Sequence, residues 1–360
     1  MKAHKVPATY YDGWEVAGLS DRFYVFYTSA TSIAGITKRY RDVSKITVEH
    51  SFFMDENFYY IDLSIDGIEF KLVDEINDFF NTQGYHVQCI DDLAEADPLP
   101  LVSICDHNTY MKYKDAFNVW DIKDKNGNMV APYDFKKRLN EYVFHKVGKV
   151  IEENYFANYL ELMWNDIKSS IKNDINGLQS NDTFSMSRKS DFLEFFIVQY
   201  LRVDKRIKND IIPVLNYFEK VLDEIGASKW AKADGILSPD VYFLGILLDA
   251  ARGNKRGIQK QITPIDAGYV IDILEAPNGY SFITSTSPCV FSKIVDGIKE
   301  EMLFPLDHQY CARFRSKVSI ADGGKFIKAT VSEAKEINNK ILACSEDIVI
   351  SEHEYITQLI

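Results

Sequence analysis

The chain has 360 residues, 46% hydrophobic and 26% charged, an ordinary globular profile that allows one large domain or two smaller ones. Its 41 basic and 53 acidic side chains leave a net charge of -12, which argues against general binding to nucleic acid or to an anionic membrane. Five cysteines, widely spaced and without a CxxC pair, suggest neither a disulfide framework nor a zinc site and fit a reducing cytoplasm.

The N-terminus has no apolar run of signal-peptide length, and no stretch of the chain is apolar for long enough to cross a bilayer, so a soluble cytoplasmic protein is expected. The first fifteen residues, with His4, Pro7, two tyrosines and Trp14, show no periodicity and read as an extended lead-in lying over the body of the fold. Arg22 to Thr28 has the density of aromatic and β-branched residues of a strand. Ile46 to Phe53 and Phe58 to Ser64 read as further strands around a turn at Asp55-Glu56-Asn57. Val73 to Thr82 reads as a short amphipathic helix closed by Gly84, followed by strands at His86 to Ile90 and Leu101 to Cys105. Lys123 to Met129 is a surface turn.

From Asp134 to Lys172 the pattern is helical, with Gly148 as the expected interruption. On a regular helix Glu153 shares a stripe with Ala157, Leu160 and Trp164. Its carboxylate is then either buried and paired, at the rim of a pocket, or simply on the surface, as glutamates usually are. A polar loop, Asn173 to Arg188, leads to the stretch around which the chain is organised. From Ser190 to about residue 212 it is helical, with Phe192, Leu193, Phe195, Phe196, Ile197, Val198, Tyr200 and Leu201 covering every face. Gln199, Arg202 and Arg206 recur at offsets of three and four. They line a cleft with forked donors for a carboxylate or phosphate, or they mark where the helix leaves the core.

Pro239 to Arg252 is another short helix. The basic run Arg252, Lys255, Arg256 and Lys260 that follows reads as a solvated loop, since no GxxxxGK[ST] or GxGxxG pattern accompanies it. Tyr269 to Leu274 and Ser281 to Ser285 pair as a hairpin across Pro277-Asn278-Gly279, running into Thr284-Ser285-Thr286-Ser287-Pro288. Those hydroxyls bond an oxyanion or, more commonly, cap the next helix. Leu303 to Leu306 and Gln309 to Phe314 read as strands, and Ser332 to Ala343 as a helix capped by Ser332. No repeat, heptad run, HExxH, metal-type His/Cys spacing or GxSxG elbow occurs. The sequence therefore names no metal, no cofactor and no oligomeric state.

The expected fold is α+β: a β-rich part over residues 1–130, a helical core over 131–260 built on the apolar helix, and a β/α return over 261–360, all packing as one body. In order and spacing the landmarks His4, Val6, Pro7 and Tyr10, the pair Phe58-Tyr59, Glu153, the Gln199, Arg202 and Arg206 helix, the Thr-Ser turn and Phe304-Pro305-Leu306 resemble a large, mainly microbial family known as domain of unknown function 4238. The resemblance spans roughly residues 4 to 350. It implies a shared fold and site, with Thr286 standing where the family usually carries an aspartate. If that aspartate is a general base or metal ligand this chain is impaired; if it is a cap, threonine serves nearly as well.

Two functional readings follow. In the first, His4, Glu153 and Ser285 as catalytic groups, with Gln199, Arg202, Arg206, Thr284 and Thr286 as ligand-binding groups, surround a cleft for an anionic small molecule. Its most concrete form is phosphoester or nucleotide chemistry, in defence against mobile elements. In the second, Glu153, Gln199 and Arg202 form an internal polar network of a non-catalytic binding or scaffolding protein.

Overall fold

The computed structural model describes the chain except residues 1–2, 5, 7, 29–30, 34–35, 39–42, 48–53, 56–62, 64–67, 92–93, 95–97, 204–218, 225, 227–238, 296–297, 318–322 and 346–347; the side chains of some further residues, His4, Arg202 and 298–301 among them, also lie outside the description. The protein is of the α+β class, with open sheets and several helices. It divides into two compact units, each made of segments distant in sequence: Met1 with Tyr59–Ile151 and Asp210–Leu248, and Lys2–Phe58 with Glu152–Asn209 and Asp249–Ile360. This division does not follow the three consecutive parts expected from the sequence.

The first unit is built on aromatic packing. Helix α2 (Val73–Gln83) ends at Gly84, whose φ of 68° is the left-handed conformation that closes a helix at low cost in glycine. Its Phe79 and Phe80 meet Phe135 of α4 (Pro132–Ile151) at 5.5 and 6.2 Å between ring centroids, and Tyr85 and Trp120 close on the same ring. A three-stranded antiparallel sheet, with β7 (His86–Ile90) between β8 (Leu101–Ser103) and β9 (Asp121–Lys123), alternates exposed and buried residues along β7. Helix α3 (His107–Tyr113) begins with a capping box, Asp106 and Thr109 satisfying each other's backbone N–H.

In the second unit the apolar helix, α6 (Lys189–Val203), is buried over Phe192 to Gln199, as its composition requires. The expected continuation beyond Val203, with Arg206, lies outside the described residues. Phe195 stacks on Trp164 of α5 (Glu161–Ile175) at 4.2 Å, and Phe192 and Phe196 pack on Phe304 and Phe314 of a six-stranded sheet. Burying each such ring contributes about 1.5–3 kcal/mol.

The order of that sheet is β10 (Thr183–Phe184), β16 (Gly324–Lys328), β11 (Tyr269–Glu275), β15 (Tyr310–Ser316), β14 (Ile298–Pro305), β13 (Val290–Val295), and only β11 and β16 run parallel. On its other side Leu274, Val290, Leu303 and Cys311 join a core with Ile337 and Ile341 of α9 (Val331–Cys344) and with Phe26 and Val349 of a four-stranded sheet. The four-stranded sheet is ordered β12 (Thr284–Ser285), β17 (Ile348–Ser351), β2 (Arg22–Tyr27), β5 (Val43–Thr47).

Several expectations are corrected. The opening residues are not an extended cover: Ala8–Tyr11 is helical, Asp12–Trp14 is a 3-10 turn, and Tyr10, Tyr11 and Trp14 are wholly buried. They are core because Tyr10 and Trp14 donate to the carbonyls of Pro305 and Phe282, at 2.7 and 2.9 Å. The turn at Gly279 forms, with φ 78°, but its flanks do not pair as a hairpin. β11 takes β15 and β16 as partners, and Thr284–Ser285 crosses to β17. The long helix is interrupted at Glu152–Leu160, a π-helical stretch, rather than at the buried Gly148. The cap of α9 is Thr330, not Ser332, because its hydroxyl accepts from Glu333 N while Glu333 returns to Thr330 N. Arg256 and Lys260 of the basic run are helical, in α8 (Arg256–Gly268). The Phe58-Tyr59 pair lies outside the described residues.

Candidate functional site

Where the structure describes them, the residues singled out in the sequence lie in different surroundings. Glu153 is exposed. The stripe that joined it to Leu160 and Trp164 assumed a regular helix. In the π-helical turn, where bonds close to i+5, Tyr155, Phe156 and Leu160 take the inward positions instead. Gln199 is 1% exposed, and neither atom of its amide has a hydrogen-bond partner among the described residues. Main-chain pairing places His4 opposite Met54; its side chain, like those of Arg202 and Arg206, lies outside the described part of the structure.

The turn at Thr284, Ser285 and Thr286 is buried, and the polar groups of its first two side chains are used internally. Thr284 Oγ1 shares a 2.9 Å bond with Tyr10 Oη, and Ser285 Oγ donates to Ser287 O at 2.9 Å and accepts from Ser287 N. Ser285 is thus engaged in a local turn, and a strand rather than a helix follows, so the expected capping role is not realised.

A polar cluster that the sequence did not mark lies on the second unit's π-helical stretch. Glu194 of α6, 5% exposed, accepts from Tyr155 Oη at 2.9 Å, Tyr159 Oη at 3.1 Å and Lys255 Nζ at 3.0 Å. Lys255 also sits 3.5 Å over the Tyr159 ring. Burial alone lowers the affinity of the Lys255 ammonium for its proton, but its bonds to Tyr159 and Glu194 outweigh that and hold it above the usual lysine value. Burial pushes both phenols above theirs, Glu194 adding to the effect. Tyr155, Tyr159 and Lys255 therefore keep fixed protonation states around neutrality, a structural rather than a proton-shuttling arrangement.

An open concavity of this unit lies at the edge of the six-stranded sheet. It is a cleft of about 530 Å³, lined by the β10 strand, Ser185, Met186, Lys189, Val270, Ile271, Lys317 and the Gly323–Gly324 pair. Its floor is set by close backbone approach: a side chain on Gly324 would collide with the carbonyl oxygen of Ile271, and one on Gly323 would lie 2.9 Å from Thr183 Cγ2. A buried ion cluster fixes the lip. Asp272, 0% exposed, accepts from Arg315 Nε at 3.0 Å, Arg313 at 3.2 Å and Lys325 N at 3.0 Å. Arg315 in turn donates to Gly323 O at 2.9 Å.

Two ammonium groups enter the cleft. Lys189 pairs with Asp266 Oδ1 at 2.5 Å. Lys317 donates to the carbonyl of Asp266 at 2.6 Å, and no carboxylate lies within ion-pair distance of it among the described residues. The cleft therefore combines an apolar wall of Phe184, Met186, Val270 and Ile271, the hydroxyls of Thr183 and Ser185, and two cations balanced by one carboxylate. The available sequence signal was the Gly323-Gly324 pair beside a strand; the lysines carried none.

No group of three or more His, Cys, Asp or Glu suited to a metal occurs among the described residues, and no described helix is long and apolar enough to cross a membrane. No family model, curated protein or solved structure matches the chain.

Proposed function

We propose that the protein binds an anionic small molecule of the phosphoester or nucleotide class in the cleft at the sheet edge. The observation that carries this reading is Lys317, a half-buried lysine lining the cleft whose ammonium has a carbonyl as its partner and no carboxylate within reach among the described residues. An ammonium has three N–H donors, and a phosphate oxygen is a partner for those left over. The volume lies within the usual range for ligand pockets, about 300–1,000 Å³, and an apolar wall with a few convergent polar groups is the usual lining. Five cysteines, none of them in a disulfide among the described residues, support a reducing, cytoplasmic setting.

The experiment is calorimetric titration of the full chain with inorganic phosphate, pyrophosphate and a set of nucleotides. Lys317→Ala is expected to weaken binding roughly ten- to a hundredfold, the loss of one charge-assisted bond worth roughly 1.5–3 kcal/mol. Equal affinity in the variant, or no binding by the wild type at millimolar ligand, refutes the reading. The scaffolding alternative is favoured by a different observation, the complete internal use of Glu194, Tyr155, Tyr159 and Lys255, and it predicts loss of stability without any ligand effect.

A further inference from the structure

We infer that Ser185 is a phosphorylation site whose phosphate, carried by the chain itself, occupies the cleft at the sheet edge and shuts out the free ligand. The inference rests on the proposed reading of that cleft as an anion site. Strand β10 ends at Phe184, so Ser185 lies just beyond the ladder, in a segment that is neither strand nor helix until α6 begins at Lys189. Ser185 is exposed between buried Phe184 and half-buried Met186, and all three line the cleft. The apolar residues on either side anchor the segment, while the serine between them stays open to an enzyme.

The neighbouring hydroxyls are less suited. Ser187 Oγ bonds Ser170 Oγ at 2.7 Å and Asp174 Oδ2 at 3.0 Å, so a phosphate there meets a carboxylate. Thr183 directs its methyl group at Gly323, and its main chain is paired with Lys325. At Ser185 the surroundings have the opposite sign. The charged residues lining the cleft, among those described, are Lys189 and Lys317, without an Asp or Glu. Asp266 adjoins the cleft through its 2.5 Å pair with Lys189, but that pair is open to water and holds the ammonium weakly, so a dianion competes for it. The acids nearest in sequence, Asp182 and Asp191, are engaged by Gln179 N and Arg188, and Asp272 behind the lip is balanced by Arg313 and Arg315.

The phosphoryl donor is a nucleoside triphosphate held by a serine/threonine kinase. The Ser185 Oγ–P bond forms, the bond from the γ-phosphorus to the bridging oxygen breaks, the nucleoside diphosphate leaves, and the hydroxyl proton passes to the kinase. The product carries a charge of about −1.5 to −2 at neutral pH and three strong acceptor oxygens, which match the N–H donors of two ammonium groups. Held on the same chain, it faces the cleft at an effective concentration on the order of millimolar.

The test encodes phosphoserine at position 185 of the full chain and follows its phosphorus resonance against pH. The titration is expected about one pH unit below that of the same chain unfolded in urea, because nearby ammonium groups favour the dianion. Lys317→Ala is expected to move it back toward the unfolded value, and phosphoserine at position 187, beside Asp174, to show no such lowering. In calorimetry the phosphorylated chain is expected to bind inorganic phosphate and nucleotides at least tenfold more weakly than the unmodified chain, with phosphatase treatment restoring the affinity. Phosphopeptide mapping of the chain from its own cells is expected to find the group on Ser185. Because the titration needs no free ligand, a lowered titration without phosphate binding by the unmodified chain sinks the free-ligand reading and upholds the phosphoserine in the cleft. A phosphoserine at 185 that titrates as in the unfolded chain, a phosphorylated chain that binds phosphate as tightly as the unmodified one, or a native chain without the group on Ser185 overturns the inference.

Discussion

Glu194 in the second unit and Glu69 in the first are both carboxylates taken out of water, and they are treated differently. Glu194 receives two phenols and an ammonium, with a donor on each oxygen. Glu69 receives one ammonium, and its other oxygen has no hydrogen-bond partner among the described residues. The first arrangement is complete and fixes the packing of α6 against the π-helical stretch, whereas the second is incomplete. Burial of a charged residue is therefore no sign of function by itself; whether its bonding is complete discriminates better.

Asp272, wholly buried and bonded to two guanidinium groups and a backbone N–H, gives the largest expected effect. Asp272→Ala leaves two guanidinium groups and the Lys325 N–H without their acceptor. It should cost about 3 kcal/mol, the low end for breaking a buried pair because both arginines reach water, and should loosen the Gly323 lip of the cleft. Urea denaturation measures the first effect and phosphate titration the second.

Next in size, Glu194→Gln is expected to cost about 2 kcal/mol and Glu69→Gln about 1 kcal/mol or less, since the second substitution also removes an unsatisfied oxygen. Denaturation of the two variants side by side decides the comparison, and a reversed order breaks it. Tyr10→Phe, which removes the bond to Pro305 O and the partner of Thr284, should cost about 1–1.5 kcal/mol. Retained stability in that variant would show that the hydroxyl turn does not depend on Tyr10.

The smallest effect extends the comparison to an exposed carboxylate. Thr330→Ala should cost about 1 kcal/mol at neutral pH by loss of the α9 cap. Bonds from the Thr330 backbone and then its hydroxyl hold the Glu333 carboxyl below its ordinary value. A carboxylate depressed in the folded state contributes stability that is complete above the ordinary carboxylate range and is lost as pH falls through the folded-state value. Denaturation at neutral pH and at about pH 3 should therefore show the wild-type advantage over Thr330→Ala shrinking in acid.

Much of the fold was legible where a local rule had no competitor. Gly84 closes α2, Phe192 to Leu201 makes a helix buried on several sides, and the aromatic, β-branched run Arg22–Tyr27 is a strand. Legibility failed where a longer-range partner took over. The Gly279 turn signalled a hairpin, but the strand after it found β17. The stripe through Glu153 was drawn at regular helical spacing, and the π-helical turn moved Tyr155 and Phe156 inward in its place. The lysines of the sheet-edge cleft and the pairing of Lys255 with Glu194 join residues far apart in sequence that no motif connects.

The sequence by itself determined the α+β class, the central apolar helix and the net acidity, because these follow from residue type and from periods of two and 3.6 along the chain. Only the tertiary structure decided which polar groups were satisfied. A hydrogen bond is a relation between two positions: Thr284 was consumed because Tyr10 came to it across 274 residues of chain separation, and Lys317 was left over because no described carboxylate did.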